Sequence, residues 1–385
     1  MSRAAAALAV LLGWGVLSLW IDERWPWAIV QIGIFALASW RMLSRRRMGL
    51  TPAAVPLAAA ALWPLAQLAF ATTIYRQATV SAALDWAAFA LIFVLARDWL
   101  AAPAARRCFL GAAATFGLAV ATVAILGNYL CPGMIGCMVR TAYANDVMGP
   151  FVNRNQYCAW VELLLPASLW LAAMGRLRGL FAAAAAVLAA SVVASGSRAG
   201  MVLAAAEIVA VVLALAFRDR AMRRTLAVRA LQFAALATVA IALVGWQEAA
   251  ARWRHSGPEA VRQDALRASL EMVKAKPLMG SGLGTWSRVY PRYASIDQGV
   301  FVNQAHNDWA QWAAEGGLPF FLCIFFFAAL LCKPAIQSIY GIGMVAVLLH
   351  ALVDYPMQQR PALAACFFCL AGAAAAWRGG EDCRP

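Results

Sequence analysis

Ala199-Gly200-Met201-Val202-Leu203-Ala204-Ala205-Ala206-Glu207-Ile208-Val209-Ala210-Val211-Val212-Leu213-Ala214-Leu215-Ala216-Phe217 carries one charged side chain, and Arg198 and Arg218 bracket it. Wound as a helix rising about 1.5 Å per residue, the run spans a hydrocarbon core of about 30 Å. Comparable runs recur from end to end of the chain. The 385 residues are 64% hydrophobic and 13% charged. Soluble domains carry about 25% charged residues, so this chain has too few to cover a water-facing surface. The sequence therefore predicts an all-α, polytopic membrane protein. About twelve transmembrane helices fit, from residues 4–21 to residues 361–377. The tenth and eleventh, residues 317–331 and 335–352, divide at Lys333. The first run follows Arg3 as a signal peptide would. Trp20, Asp22, Glu23 and Trp25 then stand where a small-residue cleavage site belongs, so it reads as a retained span.

Orientation follows from the basic residues. The formal net charge is +14, yet its clusters fall in short loops between apolar runs. Arg41, Arg45, Arg46 and Arg47 form one cluster, Arg97, Arg106 and Arg107 a second, Arg176 and Arg178 a third. Arg218, Arg220, Arg223, Arg224 and Arg229 form a fourth, and Lys333 follows. Such clusters mark cytoplasmic loops. That placement excludes a nucleic-acid partner as the reason for the charge and puts both termini in the cytoplasm. Residues 1–385 read as one integral membrane domain, with the bilayer itself as a partner. Two long loops then face outward, residues 131–156 and residues 247–316, the second being the larger. His255, His306 and His350 all fall outside or at the outer membrane edge. Cys131 and Cys137 share the first of these loops; an oxidising compartment permits their pairing, and the sequence leaves it open. Cys366 and Cys369 lie within the last span as packing residues, and no Cys/His spacing matches a zinc site.

Chemistry concentrates in Gln304-Ala305-His306-Asn307-Asp308-Trp309-Ala310-Gln311-Trp312-Ala313-Ala314-Glu315-Gly316-Gly317. His306 is the candidate general base, since an imidazole titrates near ambient pH. Asp308 and Glu315 are close enough in sequence to orient it. Arg198 lies in Ser195-Gly196-Ser197-Arg198-Ala199-Gly200. Arg154 lies in Gly149-Pro150-Phe151-Val152-Asn153-Arg154-Asn155-Gln156. One membrane-edge arginine is a snorkelling anchor; several on the side of His306 form an anion clamp. Arg262 and Arg267 open a helix-like stretch ending at Lys274, Lys276 and Pro277 and add charge to the same compartment. The run Gly280, Gly282, Gly284 lacks a preceding strand, which rules out Walker and Rossmann readings and leaves a turn that approaches a ligand. The chain has no Asp-x-Asp metal device and no nucleophile elbow.

In this order, these motifs resemble the O-antigen ligase and O-antigen polymerase superfamily of bacterial membrane glycosyltransferases. Pro277-Leu278-Met279-Gly280-Ser281-Gly282-Leu283-Gly284-Thr285-Trp286, Glu315-Gly316-Gly317-Leu318-Pro319 and His350-Ala351-Leu352-Val353-Asp354 complete the set, and the resemblance covers residues 149–354. It implies a GT-C-like protein of the bacterial inner membrane with its active site facing the periplasm. The implied reaction moves a glycan from an undecaprenyl-diphosphate carrier to a hydroxyl of lipid A-core, another glycan or a protein. It inverts the anomeric carbon and uses neither metal nor cofactor. His306 would take the acceptor proton; Arg198, Arg262 and Arg154 would hold the diphosphate; Asn155, Asp308, Glu315 and Asp354 would support them. An O-antigen or exopolysaccharide polymerase is the alternative within the family. A lipid-linked glycan transporter or flippase is the alternative outside it, although charges at one membrane edge and the lack of an internal repeat speak against it.

Overall fold

The computed structural model describes residues 2–44, 49–140, 146–218, 223–244, 250, 253, 259–296, 299, 301–358 and 361–378. Of the basic and histidine residues read above, Arg45, Arg46, Arg47, Arg220 and His255 lie outside that set, and so do the first residues of the larger loop. The described residues are mostly helical. Helices α1 (Arg3–Leu17), α2 (Trp25–Leu43), α3 (Ala54–Ala69), α4 (Arg76–Trp99) and α5 (Pro103–Leu130) precede a two-stranded hairpin, β1 (Met134–Ile135) and β2 (Val139–Arg140). A disulfide between Cys131 and Cys137 ties that hairpin. Then come α6 (Arg154–Met174), α7 (Arg178–Ser195), α8 (Arg198–Arg218) and α9 (Arg223–Val244). After α10 (Glu259–Ala275) and two short helical turns, Trp286–Val289 and Tyr290–Arg292, the chain ends in α11 (Asp308–Ser338), α12 (Ile342–His350) and α13 (Pro361–Ala375).

Seven of the described helices (α2, α4, α5, α6, α7, α8 and α11) are long and apolar enough to cross a membrane. Shorter apolar helices, among them α1, α3 and α13, pack with them, and the architecture is that of a polytopic all-α membrane protein. Helices suit this medium because each satisfies its own backbone hydrogen bonds where no water can. Burial sorts them. In α6, 83% of the apolar window is buried inside the protein, against 28% in α8 and 33% in α11. So α6 runs through the middle of the bundle, with α5, α7, α8 and α12 around it, and the others turn an apolar face outward. An aromatic core joins α4, α11 and α13: Trp86 meets Phe320 at 5.0 Å and Phe89 stacks on Phe368 at 5.1 Å. A second, separate core holds α10 against the short turns through Ala265, Ala268, Met272, Trp286 and Tyr290.

Two sequence expectations change here. The boundary at Lys333 does not exist, because α11 continues through Lys333 and Pro334 to Ser338. One lysine with a long aliphatic stem does not interrupt an apolar helix. The chain turns instead at Ile339–Gly341, and the nine-residue α12 rises only about 13 Å, less than half of a membrane core. Residues 308–316 of the large loop are helical, started by the Asn307 side chain, which accepts from the Ala310 amide at 2.9 Å, and α11 breaks at Gly317 (φ 73°), where the apolar span was expected to begin.

Candidate active site

His306 sits in the left-handed region (φ 53°), one residue before the Asn307 cap, so the backbone reverses sharply as it enters α11. Strained backbone at a non-glycine residue clusters at functional sites. The ring is about a quarter exposed, and its Nδ1 lies 3.4 Å from Asp354 Oδ1. The edge of Tyr355 meets it at 4.7 Å between ring centres. Asp354 gathers the rest of the site. Its Oδ2 accepts from the Asn155 amide, and its Oδ1 from the Tyr355 backbone at 2.9 Å. The Arg262 guanidinium stands 3.9 Å away. Burial pushes the Asp354 carboxyl up, but His306, His350 and Arg262 outweigh it and hold the group below the usual carboxylate range. Asn155 in turn accepts from the Ser197 hydroxyl at 2.7 Å. Arg198, the next residue, opens α8 half-buried and makes no hydrogen bond or ion pair to a described residue. Arg154, beside Asn155, is paired with Asp146 at 2.6 Å. The fold thus brings His306, Asp354, Asn155 and Arg262 together and sets Arg198 and Arg154 one residue from that chain.

Arg267 takes a different part. It is paired with Asp264 at 2.7 Å and donates to the Tyr293 carbonyl at 2.6 Å. Asp264 also accepts from the Tyr290 hydroxyl at 2.8 Å and from Ser295 through both its hydroxyl and its amide. Burial raises the Asp264 carboxyl, yet these donors bring it down to about 2. It is the clasp that shuts α10 onto residues 290–295.

Asp308 and Glu315 do not orient the imidazole. Asp308 is fully buried; its amide donates to the Ala351 carbonyl at 2.9 Å and its Oδ2 accepts from the Met357 amide at 3.0 Å. It therefore staples the segment that carries Asp354 and Tyr355 to the start of α11. Glu315 grips the glycine-rich run: its Oε2 accepts from the Gly284 amide at 2.9 Å and its Oε1 from the Trp286 amide at 2.8 Å. Its backbone carbonyl accepts from Gly282 at 2.9 Å. The amides of that run are consumed internally, so the ligand-approaching turn expected from the glycines is a packing device. The fit requires glycine: a Cβ on Gly280 (φ +65°) would lie 2.2 Å from the Glu315 carbonyl oxygen, and one on Gly317 (φ +73°) 2.3 Å from that of Leu278.

Sequence reasoning missed three side chains. Gln67, fully buried in α3, donates to the Met279 and Glu315 carbonyls at 2.6 and 2.8 Å and accepts from the Leu283 amide at 3.0 Å. Glu162 in α6 meets the His350 ring nitrogen at 2.8 Å with both side chains fully buried. Asp85 in α4 accepts from Trp27 and Gln31. The available signal was a lone polar residue inside an apolar span, which is a functional or structural marker by default. Among the described residues, no group of three or more His, Cys, Asp or Glu side chains is arranged to hold a metal ion.

Residues 183–325 match the O-Antigen ligase family model. That match supports the resemblance to the O-antigen ligase superfamily read from the motifs. It runs from α7 into α11 and takes in Arg198, Arg262, the glycine-rich run, His306, Asp308 and Glu315. Arg154, Asn155 and Asp354 lie outside the matched residues, and it is the fold that carries Asn155 and Asp354 to the His306 end of the O-antigen ligase match. No curated protein matches the chain.

Proposed function

We propose that the protein transfers a glycan from an undecaprenyl-diphosphate carrier to an acceptor hydroxyl on the periplasmic face of the bacterial inner membrane, as an O-antigen ligase-like enzyme of surface-polysaccharide or lipopolysaccharide assembly. One observation carries the reading: a partly exposed imidazole against a buried carboxylate, with a guanidinium 3.9 Å from the same carboxylate, at one end of an apolar bundle. With Nδ1 turned to an anionic Asp354, Nε2 is the nitrogen left to accept a proton. His306 takes the proton of the acceptor hydroxyl as its oxygen bonds to the anomeric carbon. The carbon–phosphate oxygen bond breaks on the opposite side, and the lipid diphosphate leaves with the electron pair. Attack from the far side inverts the anomeric carbon. Arg262 and Arg198, with Arg154 as the third, meet the growing diphosphate charge through planar forks that stay charged at every working pH. Preorganised cations of this kind supply the electrostatic stabilisation the leaving group needs. His306 then returns its proton to solvent, to which its ring is open.

The test offers the purified protein an undecaprenyl-diphosphate glycan with lipid A-core, oligosaccharide and protein acceptors and identifies the product by mass spectrometry. The expected result is a new glycosidic bond and free lipid diphosphate with the wild type, and neither with His306→Ala. Product formation by His306→Ala at the wild-type rate refutes the assignment of the base. A lengthened glycan still on its carrier identifies the polymerase of the same family.

A further inference from the structure

A second polar feature opens beside the site and takes no part in the chemistry above. It is a cavity of about 280 Å³ between α4, α11, α13 and the residues following Asp354. Its floor is Asp85, nine residues into an apolar helix. The Trp27 indole and the Gln31 amide donate to Oδ1 at 2.7 and 2.9 Å, while Oδ2 takes no hydrogen bond from a described residue. Arg24, hydrogen-bonded to Ser81, stands at the cavity, and Gln358 lines it with its amide turned toward Asp308. Trp86 and Trp312 supply apolar wall. A carboxylate oxygen left open within a bundle of apolar helices costs several kcal/mol unless water or a ligand meets it.

The lining selects among ligand classes. Asp85 and Glu315 on one cavity repel a phosphate, and Arg24 repels a cation. The open polar atoms reject a lipid tail. What remains is a neutral ring with hydroxyl donors and acceptors on its rim and C–H faces for the indoles. The volume falls just below the roughly 300–1,000 Å³ of small-molecule pockets, which suits a single sugar ring. Position adds the second argument. Gln358 is three residues from Tyr355, which is at most about 11 Å of chain, and the Tyr355 ring touches His306. Asp354 meets His306 from the segment after α12, and Asn155 and Arg262 meet Asp354 from α6 and α10, whereas the cavity lies among α4, α11, α13 and residues 357–358. We propose that this cavity seats a sugar ring of the acceptor and so presents its hydroxyl to His306 from the side away from the diphosphate. The proposal rests on the transferase reading for the word acceptor, and on the cavity alone for the word sugar.

Two measurements separate those parts. Saturation-transfer NMR on the full chain in lipid nanodiscs uses glucose, galactose and N-acetylglucosamine as probes. At least one is expected to receive saturation from the wild type and from His306→Ala. Ala82→Trp, which fills the cavity, and Asp85→Asn, which keeps an acceptor for Trp27 and Gln31 but removes the charge, are expected to weaken the signal about tenfold, the worth of one charge-assisted hydrogen bond. No saturation of any probe, or full signal in both variants, overturns the sugar site. In steady-state transfer assays, Asp85→Asn is expected to raise the acceptor KM about tenfold and leave the donor KM unchanged. A rise in donor KM instead overturns the acceptor assignment. Sugar binding without any transfer from a lipid-diphosphate donor refutes the transferase and upholds the site. Normal transfer with an unchanged acceptor KM in both variants refutes the site and upholds the transferase.

Discussion

Glu315 stands nine residues from His306, yet the structure gives it a mechanical task, and Glu315→Ala tests that. The substitution removes the acceptors of the buried Trp286 amide, of the part-buried Gly284 amide and of the Gln311 side chain at 3.3 Å. A buried donor left without a partner costs about 1–3 kcal/mol, so the Trp286 amide alone loses that much, while water can reach Gly284. Glu315→Gln keeps one oxygen and places an NH2 group against the other amide, which costs about half as much. The damage is local, because Gln67 still ties Leu283 and Met279 to α3. Hydrogen exchange in nanodiscs measures it directly. The Trp286 amide should exchange faster by about 5-fold or more, the lower bound of that range, with α6 and α4 unchanged. Transfer activity should fall in proportion to the loosened loop, with the shape of its pH profile retained. If Glu315→Ala leaves exchange at Trp286 as in the wild type but abolishes transfer, Glu315 acts on the reaction itself and the argument fails.

Asp264 supplies a pH prediction whose sign is fixed. Its carboxyl is lowered to about 2 in the folded protein against about 3.9 in an open chain, so its stabilisation is complete above about pH 4 and is lost as pH falls toward 2. Trp286 emission should shift over that window in the wild type and should already be shifted at neutral pH in Asp264→Asn; an unshifted Asp264→Asn spectrum at neutral pH refutes the clasp. Asp354→Asn should lower kcat by about 10²-fold or more, the usual range for general-base catalysis, while leaving donor KM near wild type. A kcat unchanged within twofold excludes Asp354 as the partner of His306. Arg198→Ala and Arg262→Ala should raise donor KM more than Arg198→Lys and Arg262→Lys do, since lysine keeps the charge and loses the fork. Wild-type donor use by both alanine variants removes the clamp.

The fold was legible because apolar length is a strong signal. Nineteen residues with a single charge between Arg198 and Arg218 admit little besides a membrane helix, and α8 is that helix. Boundaries were less so where one polar residue interrupts a long run, as Lys333 does in α11. The site was legible in its types but not in its pairings. His306 stood out as an imidazole in a polar island, but its carboxylate partner is Asp354, beyond α11 and α12, while nearby Asp308 and Glu315 serve the backbone. Proximity in sequence misled because helix α11 carries Asp308 and Glu315 away from the reversed backbone at His306. The two arginines Arg262 and Arg267 look alike in sequence. Asp264 separates them, since it binds Arg267 from one turn away and leaves Arg262 to face Asp354.

The depth of the polar groups changes what kind of site this is. Asp85 lies nine residues into α4, Glu162 eight into α6 and Glu207 nine into α8, each counted from the helix end nearest His306. At about 1.5 Å per residue all three carboxylates sit about 12–14 Å below those ends. Glu162 and Glu207 are buried, and Asp85 faces the cavity. Isolated surface loops on an apolar bundle would leave such residues with no purpose at that level, where each charge is expensive. Glu162 shows how the level is used. Its bond to His350 at 2.8 Å fixes the end of α12, and the His350 carbonyl accepts the Asp354 amide at 3.0 Å. The carboxylate that faces His306 is therefore held from beneath, by a hydrogen-bonded pair a third of the way into the bundle, and the position of the site is set by the bundle's interior as well as by its loops.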